Sequence, residues 1–263
     1  MADVWDAGNA YEGYMGRWSR PVAVQFVRWL GAAPGLTWLD VGCGTGALTA
    51  AIAATEPTCV TGVDSSPALV SAARSPGTDP RVRFAVADAA ALPLEDGSVD
   101  RCVSGLVLNF LPDPAAAVAE MTRVTRPGGW VAAYVWDYAG GMELLREFWA
   151  AAVAVDPDAD RVDERRRFPL CAPRPLAALF RSAGLGDVAT SAIIVSRRFA
   201  RFQELWTPFL GGQGPAPGYV GSLGPRQRTT LARAFRGRLP VSADGAISLA
   251  ARAWAVRGRR PGA

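Results

Sequence analysis

Three glycines at alternate positions, Gly42, Gly44 and Gly46, constrain the fold of this chain more than any other feature. Each lacks a Cβ atom and therefore permits a sharp turn or a close approach of the backbone to a ligand. Apolar residues at 38–39 precede the glycines, and helix-forming residues follow at 47–52. This order predicts a buried strand, a glycine-rich turn and a helix, which is a nucleotide-binding context.

The spacing of the loop separates two classes of cofactor. A dinucleotide-binding fingerprint, G-x-G-x-x-G, would place its third glycine at the position of Ala47. Alanine is sometimes tolerated there, so an NAD-dependent oxidoreductase stays open as an alternative. From Asp40 to Gly46 the chain instead reads D-x-G-x-G-x-G.

Two residue types are missing, because the chain has no histidine and its 28 basic residues are all arginine. A pyridoxal Schiff base and a P-loop need lysine, whereas a Ser-His-Asp triad and a histidine zinc site need histidine. These classes are excluded, no metal is predicted, and any proton transfer must use Asp, Glu, Tyr or Cys. The four cysteines show no C-x-x-C spacing, which predicts reduced thiols: Cys43, Cys59, Cys102 and Cys171.

The net charge of +4 and the isoelectric point near 9.2 raise the question of nucleic acid binding. Two arginine clusters exist, but acids at 156–164 offset the one at 165–167, and the one at 257–260 lies in a tail expected to fray. Solvated surface is the favoured interpretation, with an RNA methyltransferase as an alternative. The polar start of the chain and the lack of a 20-residue apolar run predict a cytoplasmic protein without a membrane span.

Strands and helices alternate along the chain. Apolar runs predict strands near 37–41, 59–63, 82–86, 99–105, 130–136, 187–195 and 246–256, and helical spacing predicts helices near 21–30, 46–54, 67–73, 113–125, 140–154 and 174–183. Such alternation favours an α/β fold with a doubly wound parallel sheet, whose ligands bind at the carboxyl ends of the strands. We expect an N-terminal flap and helix over 1–36, a core over 37–196 plus 246–257, and a cap insertion over 197–245.

Acidic residues follow the next two strands. Asp64 ends the second strand 18 residues after Gly46, close to the spacing at which a carboxylate accepts hydrogen bonds from a ribose diol. Asp88 follows the third strand. Because parallel strands end at one edge of the sheet, both acids are expected beside the glycine loop.

Taken in order, these motifs resemble the class I S-adenosylmethionine-dependent methyltransferases, and most closely the small-molecule enzymes related to the ubiquinone and menaquinone C-methyltransferases. The matching residues span 37–136: Leu39 to Gly46, Val63-Asp64, Asp88-Ala89, Leu92-Pro93, Asp100 and Arg126-Pro127-Gly128-Gly129. The resemblance implies a seven-stranded, mostly parallel Rossmann-like sheet with an antiparallel last strand. It also implies S-adenosylmethionine as co-substrate and a small, apolar or aromatic acceptor methylated on O, N or C.

The resemblance assigns the cofactor-binding residues. Gly42, Gly44 and Gly46 would line the methionine part of the cofactor, and Leu106 would pack beside its sulfonium. Asp64, with Ser65 beside it, would bind the ribose. Asp88 would accept a hydrogen bond from the adenine amino group, and Ala89 would donate its backbone N–H to the adenine ring. A cation of that kind is attracted to the surroundings of Asp40. In the segment 11–20, which would form the flap, Arg17 would pair with the methionine carboxylate and Tyr14 would cover the sulfur.

Three residues are candidates for a catalytic role. Methyl transfer from an activated donor needs positioning and desolvation more than a base. Where related enzymes often have histidine after the fourth strand, this chain has Asn109; Asp137 and Tyr138 are further candidates. Aromatic residues for a substrate wall are Phe110, Trp136, Trp206 and Phe209. A non-catalytic S-adenosylmethionine-binding protein is a third possibility, and the oligomeric state, monomer or homodimer, stays open.

Overall fold

The structure is a computed structural model that describes residues 12–74, 79–211 and 214–262. Its strands are β1 (Thr37–Val41), β2 (Cys59–Asp64), β3 (Val82–Val86), β4 (Val99–Gly105), β5 (Thr125–Trp136), β6 (Gly186–Phe199) and β7 (Ile247–Arg259). Its helices are α1 (Arg17–Leu30), α2 (Ala47–Ala53), α3 (Pro67–Ala73), α4 (Pro114–Val124), α5 (Glu143–Val155), α6 (Glu164–Arg167), α7 (Pro173–Ser182), α8 (Phe202–Trp206), α9 (Pro215–Ser222) and α10 (Pro225–Arg238).

The seven strands form one sheet in the order β3-β2-β1-β4-β5-β7-β6. The first five strands pair in parallel, with β1 between β2 and β4. The last strand is antiparallel to β5, since backbone hydrogen bonds join Gly128 to Arg260 and Asp137 to Arg252. These features confirm the predicted α/β class, the doubly wound sheet and its antiparallel last strand. The strand order reverses beside β1, which is where open sheets of this type bind ligands.

The chain divides into two compact units. The sheet unit comprises the described parts of residues 19–135, 170–193 and 253–263, and its interior is made by the apolar central strands. On β1, for example, Trp38 and Leu39 are completely buried, as is Val103 on β4. Burial on both faces explains why these parallel strands read as continuous apolar runs.

The aromatic unit comprises the described parts of residues 1–18, 136–169 and 194–252. Its centre is a cluster of rings in which Phe148 of α5 stacks on Phe209 at 4.6 Å and meets Phe235 of α10 edge-on at 5.6 Å. Ring pairs at these distances stabilise a core beyond their buried area. Phe209, a candidate for the substrate wall, is therefore a core residue of this unit.

Three helices, α8, α9 and α10, lie in the segment 197–245 for which a cap was predicted. Gly212 and Gln213 of its glycine-rich stretch lie outside the described residues, as do residues 1–11 of the predicted flap. The cap, the flap and the predicted domain boundaries stay predictions.

The first helix begins earlier than predicted. We expected a start near Pro21, whereas α1 begins at Arg17 and contains Pro21 in its interior. Proline has no N–H to donate to the carbonyl four residues before it. The side chain of Arg197 replaces that donor, because its Nε lies 2.6 Å from the Arg17 carbonyl oxygen.

The fifth strand also begins earlier, at Thr125 rather than near 130. Pairing on both sides explains the early start. Thr125 pairs with Val99 of β4, and at the chain end Gly128 donates to Arg260 at 2.8 Å while Arg260 donates to Gly129 at 2.9 Å. The tail that was expected to fray is therefore paired. Arg257 within it lies over the rings of Trp29 and Trp130, 4.9 and 5.0 Å from their centroids.

Two further observations concern the cysteines and the helices. The four cysteines are free, and burial raises the pKa of the Cys43 thiol, an effect that the nearby Asp40 and Asp64 reinforce. A helix with the length and apolarity to cross a membrane is not found among the described residues.

Candidate cofactor site

The glycine loop joins β1 to α2 and adopts a conformation that favours glycine. Gly42, Gly44 and Gly46 have φ angles of +74°, +53° and +86°. A Cβ atom on Gly42 would overlap the side chain of Val107, whereas the corresponding position on Gly44 has no atom within 4 Å. The loop therefore packs tightly on one side and leaves room at Gly44, where a ligand could approach the backbone.

Asp40 lies under this loop as a buried acid. Its side chain is completely buried, and its Oδ2 accepts a hydrogen bond from the Thr49 hydroxyl of α2 at 2.6 Å. Burial raises the pKa of Asp40 to about 7, the charge of Asp64 adds to the rise, and the bond from Thr49 opposes it. The Oδ1 atom has no hydrogen-bond partner within the described part of the chain. An unpaired carboxylate oxygen in this position fits a cationic ligand group.

Asp64, at the end of β2, ties two loops together. Its Oδ2 accepts from the backbone N–H of Gly44 and its Oδ1 from that of Ser66, both at 2.9 Å. The helix cap is Ser66, whose hydroxyl accepts from Leu69 at 3.3 Å. Asp64 is only half-buried and each carboxylate oxygen has a second lone pair, so both can still accept a ribose hydroxyl. Ser65 beside it is exposed.

Asp88 and Ala89 follow β3 at the same edge of the sheet. The parallel register pairs Asp40 with Gly62 and Asp64 with Val86, which brings the ends of β1, β2 and β3 together. The Asp88 carboxylate is exposed and accepts from the Ala90 N–H at 2.9 Å. The structure thus brings the loop and both predicted acids to one edge.

Leu106 and Asn109 mark the end of β4. Leu106 is buried and has a φ of +63°, which is unusual and costly for a residue other than glycine. Its N–H donates to the Tyr134 carbonyl at 2.8 Å, which holds the strained turn. Asn109 follows in a short 3-10 helix, and its Nδ2 is buried without a partner in the described residues. No sequence pattern signalled this strain.

Tyr14 and Arg17 belong to the aromatic unit. Tyr14 lies in a π-helical turn, Glu12–Gly16, and its ring meets Phe209 edge-on at 5.2 Å. Its hydroxyl is buried without a partner among the described residues, and burial raises its pKa well above the usual value, with the charge of Glu164 adding to the rise. The Arg17 residue is exposed. Their predicted roles over the cofactor stay predictions.

Asp137 and Tyr138 have partners of their own within the aromatic unit. The Asp137 Oδ2 lies 2.7 Å from Nε and 2.5 Å from Nη2 of Arg252, and its Oδ1 accepts from the Gly140 N–H at 3.2 Å. Both oxygens of this carboxylate have hydrogen-bond partners, so the geometry favours a structural role. Tyr138 is buried with its ring 5.4 Å from that of Phe168.

Two polar residues of interest were not predicted from the sequence. Thr49 holds Asp40, and Glu164 is a buried acid that accepts a hydrogen bond from the indole N–H of Trp149. Burial raises the pKa of Glu164 to about 8. A threonine inside an apolar helix and an acid at a helix start carry no distinctive pattern. Among the described residues there is also no group of three or more Cys, Asp or Glu side chains that could hold a metal ion.

Comparison with known proteins gives consistent matches. A family described as "Methyltransferase domain" matches residues 39–133. Demethylmenaquinone methyltransferase of Roseiflexus castenholzii is 34% identical over 165 residues, which cover 57% of this chain and 68% of that protein. The 2-methyl-6-phytyl-1,4-hydroquinone methyltransferase of Synechocystis is 36% identical over 121 residues, or 46% of this chain and 38% of that protein.

The fold has a counterpart among solved structures. Phosphoethanolamine N-methyltransferase 2 of Haemonchus contortus, in complex with S-adenosyl-L-methionine, superposes with a TM-score of 0.61 at 18% identity. The match covers 97% of this chain and 56% of that one. Several curated relatives, the Synechocystis protein among them, are matched over less than half of their own length.

Proposed function

Because this chain belongs to the family of class I S-adenosylmethionine-dependent methyltransferases, we propose that it transfers a methyl group from S-adenosylmethionine to a small-molecule acceptor. The chain spans only part of several curated relatives, so the activity is argued from its own residues. We also propose a cytoplasmic location, which is typical of this family.

One observation carries the proposal: the ends of three neighbouring parallel strands present a glycine loop, Asp64 and Asp88 at one edge. A nucleoside that carries an amino-acid tail needs both open space beside the loop backbone and carboxylate oxygens that accept hydrogen bonds. Asp40 supports it further, since its unpaired oxygen lies below the loop where a positive charge would be stabilised.

The residues would divide the cofactor between them. Gly42 to Gly46 would approach the methionine part, Asp64 would accept from the ribose hydroxyls, and Asp88 and Ala89 would contact the adenine. Leu106, buried and held in a strained turn, would pack beside the sulfur. Ser65, Tyr14 and Arg17 complete the proposed set.

When bound, the cofactor supplies a methyl group on a positively charged sulfur, which is already activated for substitution. The chain then has to orient the acceptor and exclude water rather than provide a strong base. This requirement agrees with the occupied carboxylate of Asp137. Among the three catalytic candidates Asn109 has the most suitable geometry, because its buried amide N–H groups have a free direction for a hydrogen bond.

We propose a small apolar or aromatic acceptor, methylated on O, N or C. The names of two relatives support this class, since they refer to a hydroquinone and to demethylmenaquinone. No observation favours nucleic acid as the acceptor over this class.

Calorimetric titration with S-adenosylhomocysteine tests the cofactor site. We expect Asp64→Ala to weaken binding by about 1 to 3 kcal/mol, the usual loss when polar ligand groups lose a charged acceptor. That loss corresponds to about a 5- to 150-fold increase in Kd. Asp96→Ala, which removes an exposed carboxylate paired with Arg123 instead, is the matched control and should leave the Kd unchanged.

Equal affinity of the wild type and Asp64→Ala for S-adenosylhomocysteine would show that Asp64 does not bind the ribose. Tight binding of NADH without affinity for S-adenosylhomocysteine would replace the proposal by the oxidoreductase alternative. Tight binding of S-adenosylhomocysteine without methyl transfer to any acceptor in a broad extract would instead indicate a non-catalytic binding protein.

A further inference from the structure

Helix α10 (Pro225–Arg238) has an unusual charge composition, with five arginines and no acidic residue. One face of the helix is anchored in the aromatic unit. Leu231 and Phe235 are buried, and the Phe235 ring lies 5.7 Å from that of Phe209. The helix is therefore held firmly, and its orientation fixes which side chains it presents outward.

The opposite face carries a row of cations. With 3.6 residues per turn, Arg226, Arg233 and Arg236 fall on one side of the helix, and all three are exposed. Between them lie Thr229 and Thr230, whose hydroxyls donate to backbone carbonyls of the preceding turn at 3.0 and 3.1 Å. This row is called the arginine face below.

The three guanidinium groups of this face have no ion pair or hydrogen bond within the described part of the chain. The other two arginines of α10 are used differently: Arg238 pairs with Glu147 at 3.0 Å, and Arg228 donates to the carbonyls of Val220 and Gly221. A general preference of this chain for arginine over lysine explains why the basic residues of α10 are arginines. It does not explain why α10 has no acidic residue.

Keeping these charges together has a cost. Arg233 and Arg236 are three residues apart, and like charges at this spacing destabilise a helix. Some arginines elsewhere in the chain have an acid nearby, as Arg123 has Glu120 at 2.7 Å and Arg166 has Asp160 at 2.8 Å. A row of unpaired cations is stabilised when an anionic surface lies against it.

The composition of the arginine face separates the classes of anionic partner. It contains only Arg, Thr and Gly residues, so it lacks the aromatic rings on which single-stranded nucleic acid stacks. It also lacks the apolar residues with which an amphipathic helix enters a lipid surface. Guanidinium groups one and two turns apart match carboxylates that follow the same helical spacing, and each can form a bidentate pair.

We propose that the arginine face of α10 is a docking surface for a protein partner that presents a helix with a row of Asp or Glu side chains. None of its residues is among those assigned to the cofactor, and the proposal does not depend on the methyl-transfer activity.

Two synthetic alanine-based helical peptides of 18 residues provide the probe. Both contain three glutamates, which in the first follow the i, i+7, i+10 spacing of the arginines and in the second are spread around the helix. Fluorescence anisotropy at 50 mM salt should give a Kd at least tenfold lower for the first peptide, and this preference should decrease at 300 mM salt.

The arginine-face variant R226E/R233E/R236E should remove this preference. The control R28E/R83E/R181E makes the same change in net charge at three exposed arginines outside α10 and should keep the Kd within about twofold. Circular dichroism and the Kd for S-adenosylhomocysteine, unchanged in both variants, show that each is folded and test the cofactor site separately.

Equal affinity for the two peptides, or an equal loss of affinity in the two triple variants, would show that binding depends only on net charge. Either result would overturn the proposal. Tighter binding to duplex RNA or to phosphatidylglycerol vesicles that depends on the same three arginines would also overturn it, in favour of that partner class.

Discussion

Glu164 shows how a single buried residue contributes to the pH dependence of the protein's stability. The residue is 2% exposed, and its carboxyl group accepts a hydrogen bond from Trp149 and interacts electrostatically with Asp163, Tyr14 and Arg167. Burial raises its pKa to about 8 in the folded protein, from an ordinary value of 4.5. The folded state therefore retains a proton that the unfolded chain releases, and the stability from this group is complete below about pH 4.5 and falls towards pH 8.

We expect Glu164→Gln to flatten this fall in stability. Glutamine stays neutral and keeps an oxygen for the Trp149 N–H, so the loss of up to about 1.4 kcal/mol per pH unit should disappear. Urea unfolding between pH 5 and pH 9 measures this dependence of the free energy of unfolding on pH. Glu120→Gln is the control: the ion pair with Arg123 lowers the pKa of Glu120, so its contribution to stability is lost only as the pH falls below about 4.5, and the slope between pH 5 and pH 9 should stay that of the wild type. Parallel profiles for wild type and Glu164→Gln would contradict the prediction.

At the scale of elements, the turn between β1 and α2 depends on two separate properties of glycine. Gly42 needs both a positive φ and the absence of a Cβ, because Val107 fills that space. Gly44 needs only the positive φ, since its surroundings are open. Substitutions at the two positions therefore allow the energetic cost of backbone strain to be measured separately from that of steric overlap.

We expect Gly44→Ala to destabilise the protein by about 1 to 2 kcal/mol, the cost of a left-handed alanine. Gly42→Ala should cost more, by about 1 to 3 kcal/mol of overpacking. Adding Val107→Ala to Gly42→Ala should recover the steric part and leave the strain. Urea unfolding in the absence of ligand measures all three, and an equal or smaller loss for Gly42→Ala than for Gly44→Ala would show that the overlap with Val107 is not costly.

At the scale of the whole molecule, cofactor binding should stabilise the folded chain. A ligand that binds only the native state at 100 times its Kd adds about 2.7 kcal/mol. For a chain of 263 residues this corresponds to an increase in Tm of roughly 5 to 10 °C.

Differential scanning fluorimetry checks this with S-adenosylhomocysteine, and Asp64→Ala at the same ligand concentration should show a smaller shift. NADH should leave the Tm unchanged. A shift with NADH alone would contradict the assignment of the cofactor and agree with the oxidoreductase alternative.

Local patterns were sufficient for much of the fold and for the outline of the site. The glycine spacing predicted the turn after β1, and apolar runs ending in Asp64 and Asp88 predicted two neighbouring strand ends. These signals are readable because φ preferences, strand alternation and helix caps act between residues close in sequence. The predicted starts of α1 and β5 were wrong, since Arg197 and Arg260, distant in sequence, complete the hydrogen bonds there.

The sequence by itself determined the fold class, the family and the edge of the sheet that holds the candidate site. Only the tertiary structure decided the state of the polar groups: the unpaired oxygen of Asp40, the raised pKa of Glu164, the ion pair of Asp137 and the row of arginines on α10. The physical reason is that desolvation and ion pairing depend on neighbours that packing brings from distant parts of the chain.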